Sequence, residues 1–157
     1  MLDPKRDRLG YAQDLFRPPA GFRFERAVAT TYSLDLGALL AAALPLGLGE
    51  EPDAAALRNP LLVWRALRAI SGRLAVFHED GQISVPRGTH RRLLSLLEKS
   101  LVPVRLAADG DRAFPAFHAK TWTLVFRSET GGRAVRFAVL SRNLTFDRSW
   151  DVAATLD

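Results

Sequence analysis

The sequence predicts an α/β fold built on a mixed β-sheet flanked by helices. Three observations predict it. Strand-like runs rich in β-branched and aromatic residues alternate with helical runs through the first two thirds of the chain. The last third instead holds two neighbouring strand-like runs joined by a glycine turn. At 157 residues, 48% hydrophobic and 25% charged, the chain is long enough for one substantial core.

Taken in order, residues 1–21 are polar, end in RPPAG, and read as an arm leading into a domain over residues 22–157. FRFERAVATTY (22–32) reads as a strand. Ser33 then serves as a candidate N-cap for a helix through LDLGALLAAAL, with Asp35 in its first turn and Pro45 and the following glycines as its stop. GLGEEPDAAALRN is a loop with room for one helical turn. Pro60 is well placed as the first residue of a helix, LLVWRALRAISG, whose Leu62, Trp64, Leu67 and Ile70 recur near helical spacing. RLAVFH (73–78) reads as a buried strand, THRRLLSLLEKSL (89–101) as a helix and VPVRLA (102–107) as a strand. FHAKTWTLVFR (117–127) and RAVRFAVLSRN (133–143) form a hairpin across SETGG. WDVAATL (150–156) is a further strand. Trp64 and Trp122 are assigned to the core, and His78 and His90 to surface or loop positions.

Composition removes several classes of function. The chain has no cysteine, which excludes disulfides, thiolate catalysis and cysteine-ligated metals. No carboxylate cluster accompanies any of the three histidines, so no metal or other cofactor is expected. The longest apolar run, ALLAAALPLGLG, is too short to span a bilayer, and MLDPKRDRLG lacks the form of a signal sequence. A cytoplasmic protein without a membrane partner is the expectation. The net charge is +5. Residues 1–80 hold ten basic and ten acidic residues, and residues 81–157 hold twelve and seven, so the excess falls in the second half. A basic half favours a polyanionic partner such as nucleic acid.

FHAKTW (117–122) places an imidazole two residues before an ammonium. Along a strand such residues share a face, so His118 and Lys120 point the same way, as do Ser141 and Asn143. With the turn centred between Thr130 and Gly131, His118 lies opposite Asn143 and Lys120 opposite Ser141, at directly paired distances of roughly 4.5–5.5 Å. Two cation-forming side chains side by side suggest an anion between them. Lys120 offers a point charge to a phosphate oxygen, Asn143 an amide donor, and Ser141 a hydroxyl. A neutral His118 can attack phosphorus as a nucleophile. The leaving oxygen requires a separate acid, worth perhaps 10²–10⁴ in rate, and no second acid is evident in this sequence.

His118-Ala-Lys120 followed one strand later by Ser141-Arg-Asn143-Leu-Thr145 resembles the phospholipase D superfamily, whose signature is HxK with a Gly/Ser-x-Asn segment on the next strand. The resemblance is specific over residues 114–151. The acid usual in that superfamily five residues after the lysine falls on Val125, and the glycine that often precedes the serine is Leu140. These departures, and the Trp-Asp pair ending in Asp151, make the chain similar to the tyrosyl-DNA phosphodiesterase branch and to bacterial phospholipase D-like nucleases. The resemblance implies a metal-independent phosphodiesterase acting on nucleic acid, DNA ahead of RNA, through a phosphohistidine on His118. Lys120 and Asn143 would bind phosphate and Ser141 would support them. By their charge alone, Arg142, Arg148 and Arg136 either attract a phosphate backbone or simply solvate the surface; the resemblance does not decide between the two. It also implies two motifs per active site, one supplying the acid. This chain has one motif, so a homodimer or a missing C-terminal half would complete the site. Two alternatives remain open: a catalytically silent module that binds nucleic acid or a protein partner, and a phospholipid hydrolase or transferase. Asp151 could orient its neighbours or be a solvated loop carboxylate, and Thr30, Thr31 and Tyr32 read as ordinary strand residues.

Overall fold

The structure, a computed structural model, describes residues 14–50, 52–53, 55, 58–87, 91–107, 115–147 and 151–157. Six strands form one mixed sheet: β1 (Phe22–Thr31), β3 (Leu74–Glu79), β5 (Leu101–Val104), β6 (Thr121–Ser128), β7 (Arg133–Leu140) and β8 (Ala153–Leu156). Their order is β5-β3-β1-β6-β7-β8. β1, β3 and β5 run parallel, and β6, β7 and β8 continue the sheet as antiparallel neighbours. The parallel steps are bridged by helical segments, α1 (Leu36–Leu48), α2 (Pro60–Ile70) and a 3-10 helix (Arg91–Ser100). A two-residue parallel ladder joins β2 (Leu34–Asp35) to β4 (Ile83–Ser84). The predicted α/β class with a mixed sheet is the class observed.

Side-chain alternation decides which face of the sheet is covered. Leu74, Val76 and His78 on β3, Trp122, Leu124 and Phe126 on β6, and Ala138 and Leu140 on β7 are buried together with α1, α2 and the 3-10 segment. Each large apolar side chain buried this way contributes about 1.5–3 kcal/mol. On β1 both Phe24 and Ala27 face this core although they are three residues apart. A bulge between Phe24 and Arg26 supplies the extra residue that keeps the alternation in phase. α1 crosses α2 so closely at Gly47 that a Cβ there would lie 2.3 Å from the Ala66 carbonyl oxygen. No described helix is long and apolar enough to cross a membrane.

Several local expectations are corrected. The N-cap of α1 is Asp35, not Ser33: its Oδ1 accepts from the Gly37 and Ala38 amides at 2.7 and 3.0 Å. Pro45 does not stop α1 but lies inside it, buried, and the helix runs on to Gly49, whose φ of 77° closes it. α2 does begin at Pro60, capped by Asn59, but it buries Val63, Ala66, Leu67 and Ile70. That face leaves Trp64 42% exposed, with the Arg68 guanidinium 4.9 Å above its ring. His78 is not a surface histidine. It is 4% exposed, with Nδ1 2.9 Å from the Glu79 carbonyl. His90 lies outside the described residues, as do residues 1–13 of the expected arm.

Candidate functional site

The strand directions bring one set of chain ends to a single edge. β1 and β3 finish there, β6 starts there because it is antiparallel to β1, and β7 finishes there again. Loops at the carboxyl ends of parallel strands are where α/β sheets place ligands. His118 and Lys120 sit in the extended segment just before β6, and Ser141, Arg142 and Asn143 just after β7.

The pairing register differs from the expected one. Thr121 lies opposite Val139, and the Lys120 carbonyl accepts from the Leu140 amide at 2.9 Å. Lys120 is therefore opposite Leu140 rather than Ser141. The turn holds three residues between Ser128 and Gly132, with Gly131 at a φ of 91°. A three-residue connection with glycine in the left-handed position displaces every partner by one relative to a two-residue turn. The ladder ends at this point, so His118 and Asn143 are not ladder partners. Other contacts place them.

Those contacts run through the last residues of β1. The Thr30 hydroxyl accepts from the Thr121 amide and meets the Thr121 hydroxyl, both at 2.9 Å, fixing the entry to β6. Thr31, buried, accepts from the Leu144 amide at 2.9 Å and donates to the Ser33 carbonyl at 2.8 Å. Tyr32 then touches both arms. Its amide donates to Asn143 Oδ1 at 3.2 Å, and its ring centroid lies 5.5 Å from that of His118. On the other side, the Glu79 carboxylate accepts from the Phe117 amide at 2.6 Å, and the Glu79 amide donates to the Tyr32 carbonyl at 3.2 Å.

Within this frame His118 is exposed and Lys120 half-buried. The ammonium lies 3.0 Å from His118 Nδ1 and 3.2 Å from Nε2, and donates to the His118 carbonyl at 3.1 Å. A ring nitrogen can accept from an ammonium only when it carries no proton itself, so one of the two His118 nitrogens is the acceptor in this contact. Burial lowers the Lys120 pKa from its ordinary value. Because Asn143 Oδ1 accepts from Tyr32, the identity of that atom is fixed and the amide NH₂ remains as the donor. Beside Asn143, a cavity of about 300 Å³ between α1 and residues 142–147 is lined by Ala38, Ala42, Leu144 and Phe146.

The other sequence candidates are engaged elsewhere. The Ser141 hydroxyl donates to Asp151 Oδ1 at 2.7 Å and accepts from the Val152 amide at 2.8 Å. The same Asp151 oxygen accepts from the Ser141 and Arg142 amides at 3.0 and 3.1 Å. Asp151 thus orients this turn. Arg142 pairs with Asp147 at 2.9 Å and donates to the Asp147 carbonyl, and its Nε is buried without a partner. Arg136 donates to the Asp14, Leu15 and Arg17 carbonyls at 2.8, 3.1 and 3.0 Å and pairs with Asp157. It anchors residues 14–17 and is not a free surface cation. Arg148 lies outside the described residues. Sequence reasoning missed Tyr32 and Glu79, whose roles depend on contacts with residues 38 or more positions away. Their position at the ends of parallel strands was the signal that could have found them.

The α/β class and mixed sheet agree with the class the phospholipase D resemblance implies. No family model matches the sequence, and no curated protein matches it. Among solved structures, the chain is similar to two of the yeast tyrosyl-DNA phosphodiesterase, the second of a mutant form. They show 14% and 11% identity, TM-scores of 0.41 and 0.43, and alignments covering 85% and 90% of this chain. The chain spans about a quarter of the length of those chains, 24% and 26%.

Proposed function

We propose that this chain supplies one half of the active site of a metal-independent phosphodiesterase of the phospholipase D type acting on nucleic acid. The observation that carries this reading is the gathering of His118, Lys120 and Asn143 at one sheet edge, with Tyr32 in contact with both arms. In the first step a His118 ring nitrogen attacks phosphorus. A P–N bond forms, the P–O bond to the leaving group breaks, and the leaving oxygen takes its proton from an acid on a second motif. Lys120 swings from the ring to a non-bridging oxygen, and the Asn143 amide donates to the same phosphate. Water then cleaves the P–N bond, giving the phosphate product and restoring the imidazole. A second copy of this chain, or a further segment carrying a second motif, supplies the acid. Ser141 acts by shaping the turn that carries Asn143.

The catalytically silent module keeps one specific point in its favour: position 125, where the resemblance calls for an acid, is a valine within β6. One experiment decides between the readings. Cleavage of a labelled oligonucleotide is measured in EDTA for the assembled protein and for His118→Ala. The phosphodiesterase reading expects activity that survives EDTA and falls by ~10³-fold or more in the variant. Cleavage unchanged in His118→Ala, or abolished by EDTA, overturns it. Salt-dependent binding without any turnover supports the silent module.

A further inference from the structure

Arg136 and Arg142 are engaged in holding the fold, but most of a different set of cations has no ion-pair partner among the described residues. Arg23, Arg26, Arg73, Lys99 and Arg127 line an open groove of about 750 Å³, with Glu25 as its one carboxylate. Five cations against one anion is a net +4, in a chain whose whole charge is +5. The rest of the molecule is close to neutral. Three of these residues come from the half of the sequence whose charges balance, so only folding gathers them.

Their arrangement is electrostatically costly in the free protein. Arg23 on β1 lies opposite Arg127 on β6, which lies opposite Arg133 on β7. Like charges directly paired across strands destabilise a sheet. Glu25 relieves part of this: it accepts from Arg133 at 3.2 Å and from Arg26 at 3.1 Å, and the Arg133 hydrogen bond holds its carboxyl below the usual range. Arg23, Arg73, Lys99 and Arg127 have no ion-pair partner among the described residues. The groove runs along β1 from Arg23 to Val28; its Arg23 is eight residues from Thr31, roughly 25 Å from the His118 edge at strand rise, and its Arg26 five residues, roughly 16 Å.

We infer that this groove is a docking surface for the phosphodiester backbone of a nucleic acid, separate from the His118 site. Strand spacing and rise set neighbouring cations roughly 5–10 Å apart, in a row that suits a repeating polyanion better than a single phosphate. Four of the five are arginines, whose planar fork matches phosphate oxygens. The concave form suits a strand of polymer and not a flat anionic bilayer. The inference stands on this charge arrangement and does not require His118 to be a nucleophile.

The test measures binding of a fluorescent single-stranded oligonucleotide against salt, in a His118→Ala background so that the probe stays intact. The triple variant Arg23→Gln/Arg73→Gln/Arg127→Gln is expected to bind ~10–100-fold more weakly, with the slope of log affinity on log salt reduced by about 2. The triple Arg→Lys variant keeps the charge and is expected to bind within a few-fold of its parent. Unchanged binding by the Gln triple overturns the proposal. Equal loss in both triples also overturns it, because the loss is then not one of charge. So does a parent that binds no oligonucleotide at low salt, or that prefers anionic phosphatidylglycerol vesicles. Cleavage of bis(p-nitrophenyl) phosphate by the Gln triple with His118 restored separates the two ideas. Oligonucleotide binding lost by the triple with this cleavage retained supports the groove, whereas a protein with the native groove and native His118 that binds the oligonucleotide but fails to cleave counts only against the catalytic reading.

Discussion

The segment leaving β7 and the segment entering β6 meet at the same edge, yet their polar side chains do opposite work. After β7, Ser141 and Arg142 direct their hydrogen bonds back into the protein, to Asp151, Val152 and Asp147, while Asn143 is held through its Oδ1 and presents its amide NH₂. Before β6 the backbone is held from outside, by Glu79 on Phe117 and Thr30 on Thr121, and among the described residues the polar and ring contacts of the His118 and Lys120 side chains are with each other, Tyr32 and the His118 carbonyl. One arm holds its shape with its own side chains. The other borrows its shape and leaves its side chains out of that supporting network. The same residue types, Ser, Arg, His and Lys, therefore cannot be assigned roles from type and spacing alone.

The comparison breaks most visibly at Asp151. Its Oδ1 serves three donors in the β7 arm. Asp151→Ala leaves all three without that acceptor and is expected to cost about 2–3 kcal/mol, since hydrogen bonds to a charged group are the stronger kind. Urea unfolding measures it. Phosphate-analogue binding should fall as well, because Asn143 rides on this turn. A loss under about 0.5 kcal/mol would mean that the β7 arm does not depend on its own side chains, and the contrast would fail.

Glu79 offers the matching test on the β6 arm. Glu79→Gln keeps an acceptor for the Phe117 amide but removes its charge, and about 1 kcal/mol of stability should go with it. Hydrogen exchange at the Phe117 amide reports the contact directly. Faster exchange in Glu79→Ala than in Glu79→Gln is expected. Equal protection in both would show that the arm is held by something other than this carboxylate.

These contacts also mark what the sequence could and could not disclose. β-Branched and aromatic runs placed every strand of the six-stranded sheet, and Pro60 marked the start of α2. SETGG marked the hairpin, but its length was misjudged by one residue, and in a ladder of period two that error moves every pair. Trp64 reads as inward from its near-helical spacing with Leu67 and Ile70, whereas the buried helical face is that of Val63, Ala66, Leu67 and Ile70. His118, Lys120 and Asn143 could be named from local spacing. Tyr32 and Glu79 were legible only as strand-end residues, since the contacts that set them apart are with partners far along the chain. The basic groove was hidden for the same reason: counting charge by halves of the sequence separates Arg23 and Arg73 from Lys99 and Arg127.

The smallest expected effect is a shift in pH dependence, and it distinguishes a chemically free Lys120 from a structural one. Burial disfavours its ammonium, so its pKa lies below the ordinary 10.5. If Lys120 grips phosphate, affinity for a phosphate analogue such as tungstate is fully present below that lowered value and declines as pH rises through it, earlier than for a solvated lysine. A bound anion favours the ammonium, so the pKa of the complex rises again and binding takes up a proton within the window between the two. Lys120→Arg, whose charge does not titrate in this range, should flatten the decline. Calorimetry in buffers of different ionisation enthalpy reads the proton uptake. Affinity that stays level up to the ordinary lysine value in the parent protein, with no proton taken up, would mean that the lysine lying against the His118 ring does not move to the anion.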